Sequence, residues 1–213
     1  VRLAKFFSRR HAEIYRVRHL AISGLYAALP VGLVLLQPDV GSAAVLAAIW
    51  AAVVCFSGIR MRHVVLLLIF AALAGWIGWN FGLQEYQKER VISFFDPYRD
   101  PRGAGYQMIQ SMIAVGSGQV WGKGLGYGSQ SHLNFLPEAE TDFIFAAFAE
   151  EWGFAGTLAA LSLFGVVLWR IIAIGQRAGD NFSRLYAVGL AALVFVQVFI
   201  HVGMNMGVMP ITG

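Results

Sequence analysis

The chain has 213 residues, of which 58% are hydrophobic and only 13% charged, and its mean hydropathy is +0.63. This composition excludes an ordinary soluble domain and indicates an integral membrane protein. The formal net charge is +4, and the single cysteine, Cys55, excludes an intramolecular disulfide.

A basic stretch opens the chain, and it contains six Lys and Arg residues: "RLAKFFSRRHAEIYRVRH". Such a cluster before an apolar segment is typical of a cytoplasmic anchor beside anionic lipid. Nucleic-acid binding is the alternative interpretation, but membrane topology explains the positive charge. We therefore expect no nucleic-acid partner.

Five apolar segments predict transmembrane helices. At ~1.5 Å per residue each crosses or nearly crosses a hydrocarbon core of ~30 Å. The segments are residues 20–36, 42–59, 64–83, 143–169 and 185–209. The first two are short, and because Pro38 and Gly41 separate them we expect a helical hairpin.

The distribution of Lys and Arg predicts the orientation, since cytoplasmic loops contain the excess of cations. Eleven cations fall in the N-terminal stretch and in the connections near residues 60–62 and 170–184, whereas residues 84–141, taken with Asp142, contain five cations and seven acids. We expect a single transmembrane domain over residues 1–213, with residues 84–141 as a large extracytoplasmic loop.

This loop is far longer than ordinary connections, and such loops are usually functional or disordered. Its recurring aromatic and apolar residues argue against disorder. The segment "GYQMIQSMIAV" has the apolar spacing of a short helix lying at the membrane interface. We expect an ordered lid that is partly embedded in the membrane.

Glycines recur around Lys123 in the segment "GSGQVWGKGLGYGSQS". Two interpretations stay open: a flexible surface turn, and a cradle of backbone N–H groups for phosphate. The spacing matches neither a dinucleotide fingerprint nor a Walker motif. External cations such as Lys123, Arg90, Arg99 and Arg102 could still neutralise a pyrophosphate.

Acidic residues stand at both external helix starts. Asp142 and Asp39 each follow a proline, so each could cap a helix or act as a base. Glu150 and Glu151 lie about 12 Å further along the fourth span. A charge there costs roughly 2.5 to 3.5 kcal/mol on insertion scales, so these two are either functional or structurally paired.

A polar stripe on the last span consists of Gln197, His201 and Asn205 at four-residue spacing. Interhelical hydrogen bonding and a proton relay are the two interpretations of such a stripe. His132 has no His or Cys partner at ligand spacing, so the residues alone predict no metal site.

Several long motifs resemble those of one known family. In chain order they are "QPDVGSA", "RVISFFDPYRDPRGAGYQMIQSMIAVGSG", "WGKG", "GSQSHLNFLPEAETDFIFAAFAEEWGFAG" and "GMNMGVMPITG". Through them the chain resembles the SEDS family of peptidoglycan glycosyltransferases from about Leu3 onward. The segments "GSQSHLNFLPE" and "MPITG" favour the elongation branch, RodA, over the division branch, FtsW.

The resemblance implies an all-α polytopic membrane protein with a SEDS-type bundle of about ten transmembrane helices. This chain would supply about five of them, from the middle and later part, and we expect it to be a fragment at both ends. The implied reaction is the polymerisation of lipid II, the undecaprenyl-pyrophosphate-linked disaccharide-pentapeptide, into glycan strands.

The resemblance also assigns residues. Asp142 occupies the acidic position of the family's "TDF" motif and becomes the expected catalytic base, and Asp39 occupies that of "QPD". Independently of the resemblance, the external loop contains five cations although the positive-inside rule should deplete them there, so we expect Arg90, Arg102 and Lys123 to bind the pyrophosphate. For substrate binding we also expect Glu138 and Glu150.

Two positions depart from the family pattern. This chain has Glu140 where the family commonly has His, and it has Asn134 where the family often has Glu. An auxiliary acid or metal role there, and a requirement for a divalent cation such as Mg²⁺ or Mn²⁺, stay open. Expected partners are a class B penicillin-binding protein and membrane proteins of the elongation complex. A transporter of lipid-linked precursors and a noncatalytic scaffold of a transpeptidase are the alternative functions.

Overall fold

A computed structural model describes residues 2–8, 17–37, 39–59, 61–100, 103–132, 135–136 and 140–211. Within these residues the regular structure is helical and contains no strand. The α-helices are α1 (Arg2–Ser8), α2 (Val17–Leu35), α3 (Val40–Phe56), α4 (Met61–Ile77), α5 (Glu85–Phe95), α6 (Ala104–Ser117), α7 (Ser129–His132), α8 (Ile144–Arg177) and α9 (Asn181–Asn205). The predicted all-α polytopic fold is confirmed.

All five predicted spans are helices, namely α2, α3, α4, α8 and α9. Three helical stretches of the described residues are long and apolar enough to cross a membrane: Arg62–Gly82, Ile144–Arg177 and Asn181–Asn205. The first of these is α4 extended by a π-helical turn, Gly78–Gly82. The apolar helices Leu20–Leu35 and Val40–Phe56 are shorter, as expected from the short apolar segments that predict them.

The chain divides into two compact units, and the first comprises Val1–Gly82 and Val166–Gln197. Its buried core contains Ala4, Phe7, Val53, Val54 and Leu185. The hairpin of α2 and α3 is also tied by a hydrogen bond from the indole Nε1 of Trp50 to Ser23 Oγ, at 3.3 Å. A buried hydroxyl thus satisfies an indole N–H in an otherwise apolar interface.

The second unit comprises Leu83–Gly165 and Val198–Gly213. Its core contains Met108, Ala114, Leu136, Phe143, Ala146, Met204 and Ile211. Helix α6 buries Met108, Ser111 and Ala114, which recur every three residues along one face. The segment "GYQMIQSMIAV" therefore forms the expected short helix, and half of the long loop is helical, as α5, α6 and α7.

Helix α8 is broken inside the membrane-length stretch that the sequence predicts as one continuous span. Gly153 has φ 63° and ψ −166°, which no α-helix contains. The break divides α8 into residues 144–152 and 154–177. Both glutamates that the sequence places inside the span, Glu150 and Glu151, lie in the last turn before the break.

Candidate functional site

The break in α8 exposes main-chain groups that a continuous helix would pair internally. In lipid these groups need partners from the protein. The glycine-rich segment supplies them: the N–H groups of Lys123 and Gly124 donate to the carbonyls of Glu150 and Glu151, at 2.9 and 3.0 Å. The loop thus satisfies the end of the first half of α8.

The same segment satisfies the start of the second half. The N–H groups of Phe154 and Ala155 donate to the carbonyl oxygens of Gln119 and Val120, at 2.8 and 2.9 Å. Residues 119–124 therefore donate to the carbonyls just before the break and accept from the N–H groups just after it. This arrangement is how irregular backbone is tolerated at membrane depth.

Glycine is required here because two backbones come into contact. A Cβ on Gly118 would collide with the carbonyl oxygen of Ala149, and one on Gly122 with that of Glu151. Gly122 and Gly153 also have φ of 78° and 63°, in the left-handed region that favours glycine. The expected flexible turn is instead a segment bonded along α8.

Glu150 is fully buried, with 0% exposure, at the centre of this junction. Its Oε1 accepts hydrogen bonds from Lys123 Nζ at 2.7 Å, Ser129 Oγ at 3.0 Å and the N–H of Gln130 at 3.1 Å. The Gln130 N–H also lies 3.1 Å from Oε2. Structural pairing, one of the two interpretations of this intramembrane acid, is what the structure shows.

The charge of Glu150 is balanced by the ammonium group of Lys123, whose side chain is 31% exposed. Lys123 Nζ also donates to Ser129 Oγ at 2.8 Å. A carboxylate this deeply buried is stable only with a paired charge and hydrogen bonds. Glu151 likewise holds the loop, because its Oε1 accepts from the N–H of Gly126 at 3.1 Å.

Asp142 lies in the turn just before α8, partly exposed, while its neighbour Phe143 is buried in the core. The capping interpretation of Asp142 is wrong among the described residues, because the N–H of Ala146 donates to Asn205 Oδ1 at 2.9 Å instead. Among the described residues the Asp142 carboxylate has no hydrogen-bond or ion-pair partner. Its main chain is held, since Asn205 Nδ2 donates to the Asp142 carbonyl at 3.0 Å.

Asp39 is the N-cap of α3, where its Oδ1 accepts from the N–H of Ser42 at 2.9 Å. The hydrogen bonds from Ser42, side-chain and backbone, lower the pKa of the Asp39 carboxyl below its ordinary value. The capping interpretation is therefore confirmed for this residue.

The predicted cations and acids are only partly brought together. Lys123 and Glu150 form an ion pair, whereas Asp142 bonds to neither of them. Arg90 places its guanidinium 5.6 Å from the ring centroid of Tyr86 on the same helix. The predicted site residues Arg102 and Glu138 lie outside the described residues, as does Asn134.

Within the described part of the chain no three His, Cys, Asp or Glu side chains are grouped closely enough to hold a metal ion. Of the polar stripe on α9, only Asn205 is buried, and its interhelical hydrogen bonds confirm that interpretation. Gln197 and His201 are exposed. The bonding of the loop across the break is not predicted by the sequence, whose one signal for it is the presence of glycines both in residues 116–128 and at Gly153.

Comparison with known proteins agrees with this architecture. The model of the family of FtsW, RodA and SpoVE, described as cell cycle proteins, matches residues 1–213. The chain is 43% identical over 185 residues to the peptidoglycan glycosyltransferase MrdB of Escherichia coli K12, covering 87% of this chain and 50% of MrdB. It is 37% identical over 212 residues to the stage V sporulation protein E of Bacillus subtilis, covering 99% of this chain and 57% of that protein.

Two solved structures are similar as well. A chain of a peptidoglycan synthase complex, studied for the coordination of polymerization and crosslinking, is 34% identical with a TM-score of 0.78, covering 99% of this chain and 57% of that chain. An Asp-to-Ala mutant of the rod shape determining protein RodA of Thermus thermophilus is 28% identical with a TM-score of 0.62, covering 99% and 52%. The chain spans about half the length of these relatives, and it belongs to the SEDS family of FtsW, RodA and SpoVE.

Proposed function

We propose that the natural full-length protein is a peptidoglycan glycosyltransferase that polymerises lipid II into glycan strands during cell elongation. The observation that supports this most directly is the carboxylate of Asp142. It is partly exposed and unpaired among the described residues, while its main chain is fixed at the start of a long apolar helix. The names of relatives such as MrdB agree with the proposal.

In the proposed reaction Asp142 is the general base. The acceptor sugar's 4-hydroxyl loses its proton to the carboxylate as its oxygen attacks the anomeric carbon of the donor. The bond from that carbon to the lipid pyrophosphate breaks, so an α-linkage is replaced by a β-linkage with inversion. A base at the membrane edge suits a substrate with sugars in water and a tail in lipid.

The departing pyrophosphate needs cationic stabilisation. We assign this role to Lys123, Arg90 and Arg102; Lys123 is held at the junction by Glu150 and Ser129 with part of its side chain exposed. Alanine at each of the three, assayed for KM and kcat with lipid II, tests the assignment. Unchanged kinetics in all three variants would contradict it.

The two glutamates assigned to substrate binding differ in how directly they could act. Glu150 is fully buried and its oxygens accept hydrogen bonds from the loop, so its contribution to binding is to hold Lys123 in place. Glu138 keeps its proposed direct role beside the "TDF" motif. Asp39, the cap of α3, is proposed to support the site or substrate orientation from the same membrane face.

The proposed location is the bacterial inner membrane, with residues 84–141 on the extracytoplasmic side, where lipid II presents its sugars. The proposed partner is a class B penicillin-binding protein, which would crosslink the strands. The similarity to a chain from a synthase complex that coordinates polymerization and crosslinking supports this partner. Further membrane proteins of the elongation complex are expected to bind as well, and a divalent cation, Mg²⁺ or Mn²⁺, is an open requirement.

One observation favours the second candidate function, a transporter of lipid-linked precursors. Discontinuous helices such as α8 form substrate sites near the midplane of many transporters. Here, however, the loop bonds the main-chain groups on both sides of Gly153. The break is therefore occupied by protein, which favours the enzyme.

The deciding experiment uses the purified full-length protein with labelled lipid II. Reaction products are separated by size, and translocation of a lipid II analogue is measured in parallel in vesicles. We expect long glycan strands and no translocation above that of protein-free vesicles. Translocation without polymer would instead establish the transporter. If the protein showed neither polymerisation nor translocation, the scaffold would be the better proposal.

A further inference from the structure

Asn205, at the end of α9, is fully buried and joins three helices of the second unit. Its Oδ1 accepts from the N–H of Ala146 at 2.9 Å on α8. Its Nδ2 donates to the carbonyl of Asp142 at 3.0 Å and to that of His201 at 2.8 Å. Its own carbonyl accepts from Ser111 Oγ on α6 at 2.9 Å.

An amide is the side chain that this position requires. The two carbonyls, of Asp142 and His201, need donors, and the N–H of Ala146 needs an acceptor, so one orientation of the amide satisfies all three. A carboxylate would place an oxygen against two carbonyls. An apolar side chain would leave an N–H and two carbonyls without this partner, which is costly in a buried site.

The bonds flank the residue that the proposed reaction depends on. Asn205 contacts the carbonyl of Asp142 and the N–H of Ala146, so it fixes the turn from which the Asp142 carboxylate projects. The carboxylate itself has no partner among the described residues, and Phe143 anchors the core side of the turn. The direction of the carboxylate therefore depends on the main chain that Asn205 holds.

We propose that Asn205 is a positioning residue for Asp142, with Ser111 holding Asn205 in turn. This inference rests on the proposed role of Asp142 as the base, and it assigns to Asn205 no contact with substrate. Misplacement of a catalytic group by about 1 Å can cost on the order of 100-fold in rate. Loss of Asn205 should therefore lower kcat while leaving the KM for lipid II nearly unchanged.

The test compares Asn205→Asp, which keeps the size and one acceptor, with Asn181→Asp as the matched control. Asn181 is a partly exposed amide at the first residue of α9, where an acid is compatible with the helix dipole. In the full-length protein we expect Asn205→Asp to reduce kcat by about 10- to 100-fold with KM changed less than about 3-fold. Asn181→Asp should polymerise lipid II at close to the parent rate.

A double variant separates positioning from independent damage. If Asn205 acts through the carboxylate of Asp142, adding Asn205→Asp to Asp142→Asn should reduce the residual rate by less than about 2-fold. Multiplication of the two effects would overturn the proposal, as would a normal kcat for Asn205→Asp. Should that variant not accumulate in membranes, Ser111→Ala decides: a kcat lowered about 3-fold or more supports the proposal, and an unchanged kcat overturns it.

The outcomes for this inference and for the proposed function are distinguishable. Normal polymerisation by Asp142→Asn would remove the base on which the inference depends. An inactive Asp142→Asn together with a fully active Asn205→Asp would leave the proposed function standing and overturn only the role of Asn205.

Discussion

The chemistry proposed for Asp142 depends on a carboxylate that has no structural duty among the described residues. Asn205 provides the hydrogen bond at the helix start that a capping Asp142 would have provided. Removal of the negative charge should therefore leave α8 intact.

The first prediction concerns Asp142→Asn in the full-length protein. Because a positioned general base contributes roughly 10² to 10⁴-fold, polymerisation of lipid II should fall by about that factor. Folding and membrane insertion should stay normal, since no described bond of the carboxylate is lost. The measurement is strand formation per unit of purified protein.

A matched control for this variant is Glu89→Gln, which removes one exposed carboxylate from α5. It should polymerise at close to the parent rate, so that loss of external negative charge is not itself the cause. Comparable rates for the parent and Asp142→Asn would show that the catalytic assignment is wrong.

A second prediction concerns Asp39, whose pKa is lowered by its hydrogen bonds to Ser42. A lowered folded pKa means that the ionised cap stabilises α3 above the ordinary value of 3.8 and that this stabilisation is lost as pH falls through the folded pKa. The protection of the Ser42 amide, which is its exchange rate compared with the intrinsic rate of an unstructured amide at the same pH, should therefore decrease at acidic pH. Hydrogen exchange followed by mass spectrometry measures this.

Two substitutions separate the cap from the charge. Asp39→Asn retains a capping oxygen and should remove most of the pH dependence, whereas Asp39→Ala should destabilise α3 by about 0.5 to 2 kcal/mol. Reduced polymerisation by Asp39→Asn, which we also expect, would mean that the charge matters beyond capping. Equal exchange of the Ser42 amide in parent and Asp39→Ala would contradict the capping role.

At the scale of elements, the break in α8 and the glycine-rich segment form one structure. The glycine-rich segment finds main-chain partners on α8 because the helix is interrupted at Gly153. In turn, residues 119–124 hydrogen-bond the main-chain groups on both sides of the break, which would otherwise lack partners in lipid. The ion pair between buried Glu150 and Lys123 adds a side-chain contact between the segment and α8. The same contacts therefore stabilise the fold and determine the position of Lys123.

The third prediction compares two glycines two residues apart. Gly118 has an ordinary helical φ, so Gly118→Ala is penalised only by collision with the Ala149 carbonyl, and we expect destabilisation of more than about 2 kcal/mol. Gly116, in α6, has open space around its Cα, so Gly116→Ala should be neutral or stabilise by up to about 1 kcal/mol. Thermal unfolding of purified protein in detergent gives both values, and equal midpoints would refute the packing argument.

The fourth prediction contrasts a buried ion pair with an exposed one. Glu150→Gln leaves the ammonium of Lys123 with a weaker partner, and because that side chain is 31% exposed we expect a loss of about 1 to 3 kcal/mol. Glu85→Gln breaks the exposed pair with Lys88, 3.0 Å apart, and should cost less than about 0.5 kcal/mol. Unfolding midpoints measure both, and similar losses would argue against Glu150 as the anchor of the loop.

At the scale of the whole molecule, the sequence predicts the helices better than their interruptions. Five apolar segments are enough to place α2, α3, α4, α8 and α9, because hydropathy is a property of each segment alone. The break at Gly153 depends on a partner loop thirty residues away along the chain, and no local pattern names that partner. The glycines of residues 116–128 were therefore interpreted as flexibility or phosphate binding.

The same reason explains the mixed outcome for the candidate site. Interhelical bonding by Asn205 was predictable, because a buried amide in an apolar span needs partners. That its partners are the turn of Asp142 and the start of α8 follows only from the tertiary structure. The ion pair of Glu150 with Lys123 likewise joins residues that the sequence assigned separately to substrate.

The last prediction is the orientation in the membrane, on which the proposed site depends. The excess of Lys and Arg predicts that the connection between α8 and α9 lies in the cytoplasm and that α5 lies outside. With Cys55→Ser and no other cysteine present, Glu89→Cys should react with an impermeant maleimide in intact spheroplasts. Gly179→Cys, exposed in that connection with open space around its Cα, should react only after lysis. The reverse pattern would place Asp142 on the cytoplasmic side, away from the sugars of an externally presented lipid II. That result would contradict the proposed function.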